Sequence, residues 1–453
     1  MQVEFVGQSA RIGDNWAANT SRLLNCYRVP VGGSETQFSI VSVLGQEAFA
    51  DLGTIWTRAF ERVEDTLYAV ADGKLFSVDS GGNETNLGVV AASDDATIAG
   101  NNGDVAVASG GTYYVWDGST LTTPATGAFS SIGSVDYVGG YTVYTEKDGP
   151  RWGWSDVLDA STLPALNFAT AEANDDNCLR VMEIAGNAWI FKEGSIEIWY
   201  QTGQAGADAF LRMSGGVINT GLKGYGLLCR LGGGGAFFVG DDNVAYISSG
   251  SGLTPVSIGA EAPTYSIVNE TPQHCAYYED GNHKFCVITF EERPAWVFDL
   301  VTQEWHERAE AAYDAWSMSH TARLGGEWYS AHKGGDINRM ARTNADIGQA
   351  LQRRMMSKTL SMDGQRFRLA ELEFFARVGF SSLGRDARAW LRVSGDRGMT
   401  WSNERLLSFG AAGEYSTRAL ARSLGQFRQF TVELLVSDPD DIPVNATARV
   451  RVA

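Results

Sequence analysis

The residues whose types and spacing suggest local chemistry lie near the C-terminus, in Ser394-Gly395-Asp396-Arg397-Gly398-Met399-Thr400-Trp401. They fit an Asp-box, Ser/Thr-x-Asp-x-Gly-x-Thr-Trp. The carboxylate of Asp396 is placed to accept backbone N–H bonds across a tight hairpin, and Gly398 supplies a positive-φ position. Trp401 is expected to pack beneath, and Ser394 and Thr400 complete the box. The motif occurs once and reads as a fold stabiliser remote from any catalytic centre. A second grouping sets Cys275 and Cys286 near His274 and His283. Its spacing matches no zinc pattern. Paired strands at 274–278 and 283–289 explain the proximity without a metal.

Other catalytic patterns are weaker. The five His form no recognised nucleophile or metalloprotease motif, and there is no Gly-x-Ser-x-Gly. Glycoside hydrolysis needs two carboxylates placed by the fold, and none of the 54 acidic residues stands out by sequence. Gly232-Gly233-Gly234-Gly235 runs into the strand-like Ala236-Phe237-Phe238-Val239, so it is a connection and not a phosphate loop. No catalytic, cofactor-binding or metal residue is therefore expected, and no cofactor. Trp152, Trp154, Trp189, Trp199, Trp296, Trp305, Trp316 and Trp328 are better placed for core packing than for stacking on sugars. Five scattered Cys suit reduced, buried thiols.

The elements that position these residues are hairpins. In residues 187–200, Trp189 and Phe191 flank Ile190, a break follows at Lys192-Glu193-Gly194, and Ile196, Ile198 and Tyr200 then alternate with Ser195, Glu197 and Trp199. Period-two alternation on both sides of a short Gly-containing break marks a β-hairpin. Similar units occupy 66–79, 104–117, 141–156, 236–248, 284–299 and 327–340, which makes seven at a spacing of roughly 40 residues. That period is the signature of four-stranded propeller blades, each needing neighbours to bury its faces. The expected fold is all-β: a propeller of about seven blades (six or eight being the variants), followed by a C-terminal β-sandwich-like domain. A pair of β-sandwiches is the alternative. The expected boundaries are an N-terminal strand or arm segment over 1–40, the propeller over 41–344 and the sandwich-like domain over 345–453. Strands are expected at 351–359, 367–375, 389–393, 426–436 and 447–452, with a short strand and turn within 25–33 and a linker or helical turn at 341–350.

Charge follows the same division. Residues 345–453 hold 16 Lys and Arg against 12 Asp and Glu, a surplus of four positive charges, whereas residues 1–344 hold 20 against 42, an excess of 22 negative charges. The acidic part argues against gripping nucleic acid through its phosphates. It suits solubility, or a wall past which a polyanion slides. No run of eighteen apolar residues exists, so no membrane insertion is expected. The N-terminus lacks a secretory pattern, which places synthesis in a cytosol.

Several stretches together resemble the packaged-DNA stabilisation proteins of short-tailed bacteriophages, also called tail nozzle, tail hub or head-completion proteins. They are 166–177 (LNFATAEANDDN) followed by 188–203 (AWIFKEGSIEIWYQTG), 236–255 with its Phe-x-Gly-Asp-Asp hairpin, and 277–307 with an Asp-Gly-His turn leading to Val-Phe-Asp and Trp305. Further on come Asp363-Gly364 then Arg366, the Asp-box, Gly413-Glu414-Tyr415 with Arg418, Leu424-Gly425, and Ser437-Asp438-Pro439. The similarity rests on their order and spacing over about 160–440. It implies a non-enzymatic structural virion protein located in the tail and assembled in the host cytoplasm. As a homo-oligomer, a hexameric ring, it would extend the DNA channel below the portal and head-tail adaptor ring and retain packaged DNA until ejection. It would also dock tail fibres or spikes and a plug protein. DNA would pass without sequence-specific binding, past an acidic wall if those charges face the lumen. The alternative, drawn from the Asp-box and the propeller that sialidases share, is a sialidase-like glycan-degrading or glycan-binding β-propeller.

Overall fold

The computed structural model describes residues 2–7, 9, 20–32, 37–250, 252–311, 315–362, 364–382 and 384–452. Asp363, named above, and position 33 of the turn expected within 25–33 lie outside them.

All seven expected hairpins form, each as the two middle strands of a four-stranded antiparallel blade. The strands nearest the axis are Thr57–Val63, Ala96–Asn101, Ile132–Val138, Cys178–Ile184, Leu228–Arg230, Pro272–Asp280 and Met318–Leu324, for blades 1 to 7 in chain order. Local turn chemistry sets the hairpin geometry. In blade 2, Gly110 and Gly111 have φ of +58° and +83°, the two positive values that a type I′ turn requires. A Cβ on Gly110 would meet the Ala91 Cβ at 2.6 Å. Apolar cores then form between blades. Phe76, Ala69 and Leu67 of blade 1 pack with Tyr329, Ala331 and Ile337 of blade 7, and Trp152 and Trp154 of blade 3 pack with Ile190 and Trp199 of blade 4. Of the eight tryptophans named above, Trp152, Trp154, Trp189, Trp296, Trp305 and Trp316 are fully buried.

The ring is closed by a strand from far upstream. Gly45–Asp51 forms the outermost strand of blade 7 and pairs antiparallel with Asp336–Ala341, from Gly45 opposite Ala341 to Asp51 opposite Asp336.

Both ends of the chain build the sandwich. One sheet holds Cys26–Pro30, Phe38–Ser42, Val444–Val452, Phe367–Ala376 and Ala419–Phe427, with Gln2–Glu4 alongside Val444–Val452. The other holds Arg22–Leu24, Arg353–Met356, Gln429–Val436, Asp386–Ser394 and Arg405–Ala411. Phe5, Leu23, Leu369, Phe374, Leu391, Phe409, Leu434 and Val450 are among the residues buried between them.

Some local expectations change. The segment 341–350 is a small hairpin, Ala345–Asp346 with Gln349–Ala350, turned by Ile347 at φ +47° and Gly348. A helical turn is not formed there. The stretch 426–436 is the junction of two strands that meet at Arg428, and the strand expected at 351–359 is shortened to Arg353–Met356. The helix Glu261–Asn269, between blades 5 and 6, has only nine residues and too little periodicity to be read from sequence.

Sandwich and propeller are joined through hydrogen-bonded sheet. Arg22–Leu24 runs parallel to Glu304–Arg308, the outer strand of blade 6. At this junction Arg308, wholly buried, donates to Asn25 Oδ1 at 3.1 Å, the Ala309 carbonyl at 2.7 Å, the Leu44 carbonyl at 3.3 Å and Asp346 Oδ1 at 2.8 Å. Its guanidinium lies 4.9 Å from the Trp316 ring centroid. Arg22 pairs with Glu307 at 2.7 Å. Removing Arg308 leaves Asp346 buried without its cation, a change that costs about 3–5 kcal/mol. Arg308→Ala is therefore expected to lower the urea midpoint by the equivalent of that amount; a loss below about 1 kcal/mol would show that the node does not hold the domains together.

Candidate functional site: the propeller axis and the Asp-box

In five of the seven inner strands the pairing slips near the first residue: between Thr57 and Ala59, Ile132 and Ser134, Cys178 and Arg180, Pro272 and Cys275, and Met318 and His320. A bulge re-aims the residues within it. Here those residues include Arg58, Gly133 and His274; of the three, Arg58 lines the axial cavity, as do Ala59, Arg180, Cys275 and His320 beside the slips. The cavity measures about 370 Å³ and is lined by Arg58, Asp95, Thr97, Arg180, Tyr225 and His320, among others.

Tyr225 stoppers it. Arriving from the connection before blade 5, it crosses the axis and donates its hydroxyl to the Gly133 carbonyl at 2.9 Å, with Thr97 Oγ1 at 3.5 Å. Arg180 holds it from the other side. Its guanidinium is 5.2 Å from the Tyr225 ring centroid, and it donates to the carbonyls of Tyr225 at 3.2 Å and Leu228 at 2.9 Å. Burial pushes the Tyr225 phenol up to about 12. Burial also raises the Asp95 carboxyl, against the pull of Arg180 and Arg58. A cavity of this volume is of small-molecule size, and no nucleic-acid duplex threads it.

The arginines here are structural. Arg58, fully buried, donates to the carbonyls of Asp72, Ala91, Ser93 and Asp94 and to Ser109 Oγ, which ties blade 1 to the connection leading into blade 2. At the mouth Arg230 bridges Asp136 at 2.5 Å and Glu183 at 2.8 Å. An enzyme that recognises acidic sugars needs arginine donors open to substrate; these face backbone and paired carboxylates.

The Asp-box lies on the sandwich, at the end of Asp386–Ser394. Ser394 Oγ donates to Asp396 Oδ1 at 2.6 Å and accepts from the Gly398 N–H at 2.7 Å. Thr400 donates its N–H to Asp396 Oδ1 at 2.8 Å and its hydroxyl to Oδ2 at 2.5 Å. These bonds hold the Asp396 carboxyl down at about 2. Gly398 takes φ +87°, and Arg397, before it, also takes a positive value of +63°. Trp401 is half-buried, with the Arg392 guanidinium 4.9 Å from its ring. Ser394, Asp396, Gly398 and Thr400 therefore serve one turn.

The stretch 166–203 folds into a buried staple. Lys192, wholly buried, pairs with Asp176 at 2.6 Å and donates to the carbonyls of Ala171 at 2.6 Å and Asn174 at 2.7 Å, while Glu197 lies at 3.8 Å. Asp176 also accepts from the Gly194 N–H and the Ser195 hydroxyl, both at 2.9 Å. Burial works to raise its carboxyl; the bonds from Lys192, Gly194 and Ser195 outweigh it and hold the group low. The sequence does not mark these charges as buried, because Lys192 stands in the break of the hairpin and Glu197 at an alternating position of its second strand.

The His and Cys grouping of blade 6 sits on paired strands, with Cys286 opposite Tyr277 and Cys275 opposite Ile288. Burial raises the Cys275 and Cys286 thiols well above their ordinary value. Among the described residues no cluster of His, Cys, Asp and Glu is arranged to hold a metal ion, and no helix is long and apolar enough to cross a membrane.

A propeller ring carrying a sandwich, with its polar clusters turned to structural use, defines a class of structural β protein. Comparison places it further. A family model described as the β-propeller of bacteriophage P22 Gp10 matches residues 21–341, and one described as the β-sandwich of the same protein matches 352–433. The chain belongs to the bacteriophage P22 Gp10 family, and so is a structural protein of a phage tail. No curated relative matches it. Among solved structures it is similar to the computationally designed Ika8 protein, at 11% identity and a TM-score of 0.41, over 65% of this chain and 99% of that one. A likeness at that level adds nothing to the assignment.

Burial pushes His274 down to about 4 and His306 down to about 3, so both are neutral in the folded protein. Above pH 6.5 the unfolded chain leaves them neutral too, and folding is unaffected. As pH falls below 6.5 the unfolded state takes up protons that the folded state refuses, and stability falls until the folded values are reached. From pH 7 to 5 each histidine is expected to cost about 2 kcal/mol. Urea midpoints across that range measure it. Burial holds His320 well below its ordinary value too, so His306→Gln should remove roughly a third of the histidine share of the loss; an unchanged pH slope in that variant would place the effect elsewhere.

Proposed function

We propose that the protein is a subunit of the tail nozzle, or tail hub: a homo-oligomeric ring, hexameric, seated below the portal and the head-tail adaptor. The ring would extend the DNA channel, retain packaged DNA and offer docking sites to tail fibres or spikes and to a plug. The observation that carries this reading is the family match over both domains. The closed axis supports it from physics. With Tyr225 across the propeller, a lumen wide enough for DNA has to be formed between copies of the chain. The acidic balance of residues 1–344 suits a wall that passes DNA without sequence-specific contact. The role is mechanical and non-enzymatic, in the virion tail after assembly in the host cytoplasm.

The glycan-directed alternative draws on one Asp-box, and that box is confined to a turn of the sandwich. Its propeller-mouth requirement, arginines open to substrate, finds Arg58, Arg180 and Arg230 engaged in internal bonds.

Native mass spectrometry of the purified protein, alone and mixed with a portal–adaptor assembly, tests the proposal. The expected result is a subunit that adds as six copies to the assembly. A stable trimer that ignores the assembly would overturn the connector role and turn attention to glycan hydrolysis.

A further inference from the structure

Charge is divided between the two domains as it is between the two parts of the sequence. The described strands of residues 1–44 enter the sandwich, and the stretch holds three basic and three acidic residues, so residues 45–344 carry the whole excess of 22 negative charges and residues 345–453 the surplus of four positive ones. On the outward face of one sandwich sheet the positive charge is ordered. Val444–Val452 and Ala419–Phe427 flank Phe367–Ala376, with Glu373 opposite Arg449 and Glu371 opposite both Arg451 and Arg422. Glu373 receives Arg418 at 2.6 and 2.9 Å and Arg449 at 3.1 Å; Glu371 receives Arg422 at 3.4 Å and lies 3.8 Å from Arg451. Two carboxylates thus fix four guanidiniums and leave two positive charges over. The four arginine side chains remain 50–73% exposed, beside a concavity of about 560 Å³. Held in place, their outer N–H groups are pre-organised for carboxylate acceptors.

The complementary surface is on the same chain. Residues 75–146, which follow the exposed Lys74 and cover the outer half of blade 1, all of blade 2 and the two inner strands of blade 3, contain eight acidic residues and no Lys or Arg. Of these, Asp79, Glu84 and Asp117 are exposed on the outer hairpins of blades 1 and 2. None of the three has a cationic partner in an ion pair among the described residues.

We propose that the arginine face of one copy, carried by Arg418, Arg422, Arg449 and Arg451, docks on the acidic outer rim of blades 1 and 2 of a second copy. This deepens, and rests on, the homo-oligomeric reading above. Two different patches on one chain make a head-to-tail contact, the kind that closes into a ring when its rotation allows. Opposed potentials of this sort set partner choice and association rate. They are screened by salt, with a Debye length of about 3 Å at 1 M.

The test is the addition of wild type and variants to the portal–adaptor assembly, read by native mass spectrometry at low and high NaCl. Arg449→Glu with Arg451→Glu is expected to lower occupancy at least tenfold, as is Glu84→Lys with Asp117→Lys. Mixing the two reversed proteins should restore addition, because each then offers one intact complementary pair to the other. Circular dichroism of each variant confirms folding. Wild-type addition that weakens with salt supports the contact. A wild type that fails to add at all overturns the connector reading. A wild type that adds, with both variants adding equally well, overturns this interface alone. Loss of duplex-DNA binding in the arginine variant, with assembly intact, would assign the face to phosphate and overturn the inter-subunit contact.

Discussion

The structure depends on ring closure. A blade has two apolar faces and cannot bury them alone; here each core is shared by neighbours, as where Phe76 of blade 1 meets Tyr329 of blade 7. The seventh blade draws its outer strand, Gly45–Asp51, from nearly 300 residues upstream of its partner Asp336–Ala341. That pairing closes the circle and caps an edge that would otherwise be open to another chain. It also dictates where the ends go. The chain enters and leaves the ring at the same blade, so the segments before Gly45 and after Ala341 lie together, and they fold as one sandwich. Arg308, Asn25 and Asp346 meet at that crossing. An ion pair is a reasonable device there: sealed from water it contributes little net stability, but breaking it is costly, so it fixes one arrangement of the domains.

The axis is treated as interior. A polar core surrounds Tyr225 and Arg180, and Arg58, from the bulge at the start of the first inner strand, lines the same cavity. Arg58 acts as a staple between blades, its donors directed to the carbonyls of Asp72 and of the connection that ends at Asp94. A ring stoppered in this way resists shear between blades, because the stopper bonds to blades 2 and 3 while its anchor is on blade 4. On the proposed function this is the useful property: the propeller serves as a stiff block in a larger ring.

Much of this was legible in the sequence, for physical reasons that differ by element. The seven blade hairpins announce themselves because a half-buried strand forces period-two alternation and a two-residue turn needs residues such as Asp72-Gly73 or Gly110-Gly111. Outer strands carry little of either signal. Glu84–Val89 is mostly exposed along its length, so nothing alternates. The closing strand Gly45–Asp51 was hidden because pairing over such a separation leaves no local mark, and the same holds for the N-terminal strands of the sandwich. The Asp-box was readable because each of its bonds spans four residues or fewer. The axial stopper was not: Tyr225 bonds residues 92 and 128 positions away, and in sequence it is one tyrosine in a Gly-rich connection.

The resemblance stretches show what a sequence signature records in a protein of this kind. Residues 166–203 are among the stretches that carry the likeness, yet three of their charged side chains face inward, with Lys192 and Glu197 wholly buried and Asp176 nearly so. A buried cation fixes its surroundings closely: its three N–H donors here meet Asp176 and the carbonyls of Ala171 and Asn174, and each acceptor must hold its place. The turn at Gly194 is set in turn by Asp176. Such a cluster constrains residue type over thirty positions without contacting any partner. In this chain such a local pattern therefore marks how a blade is held shut, whereas the surfaces proposed to meet other copies rest on charge balance spread over whole domains.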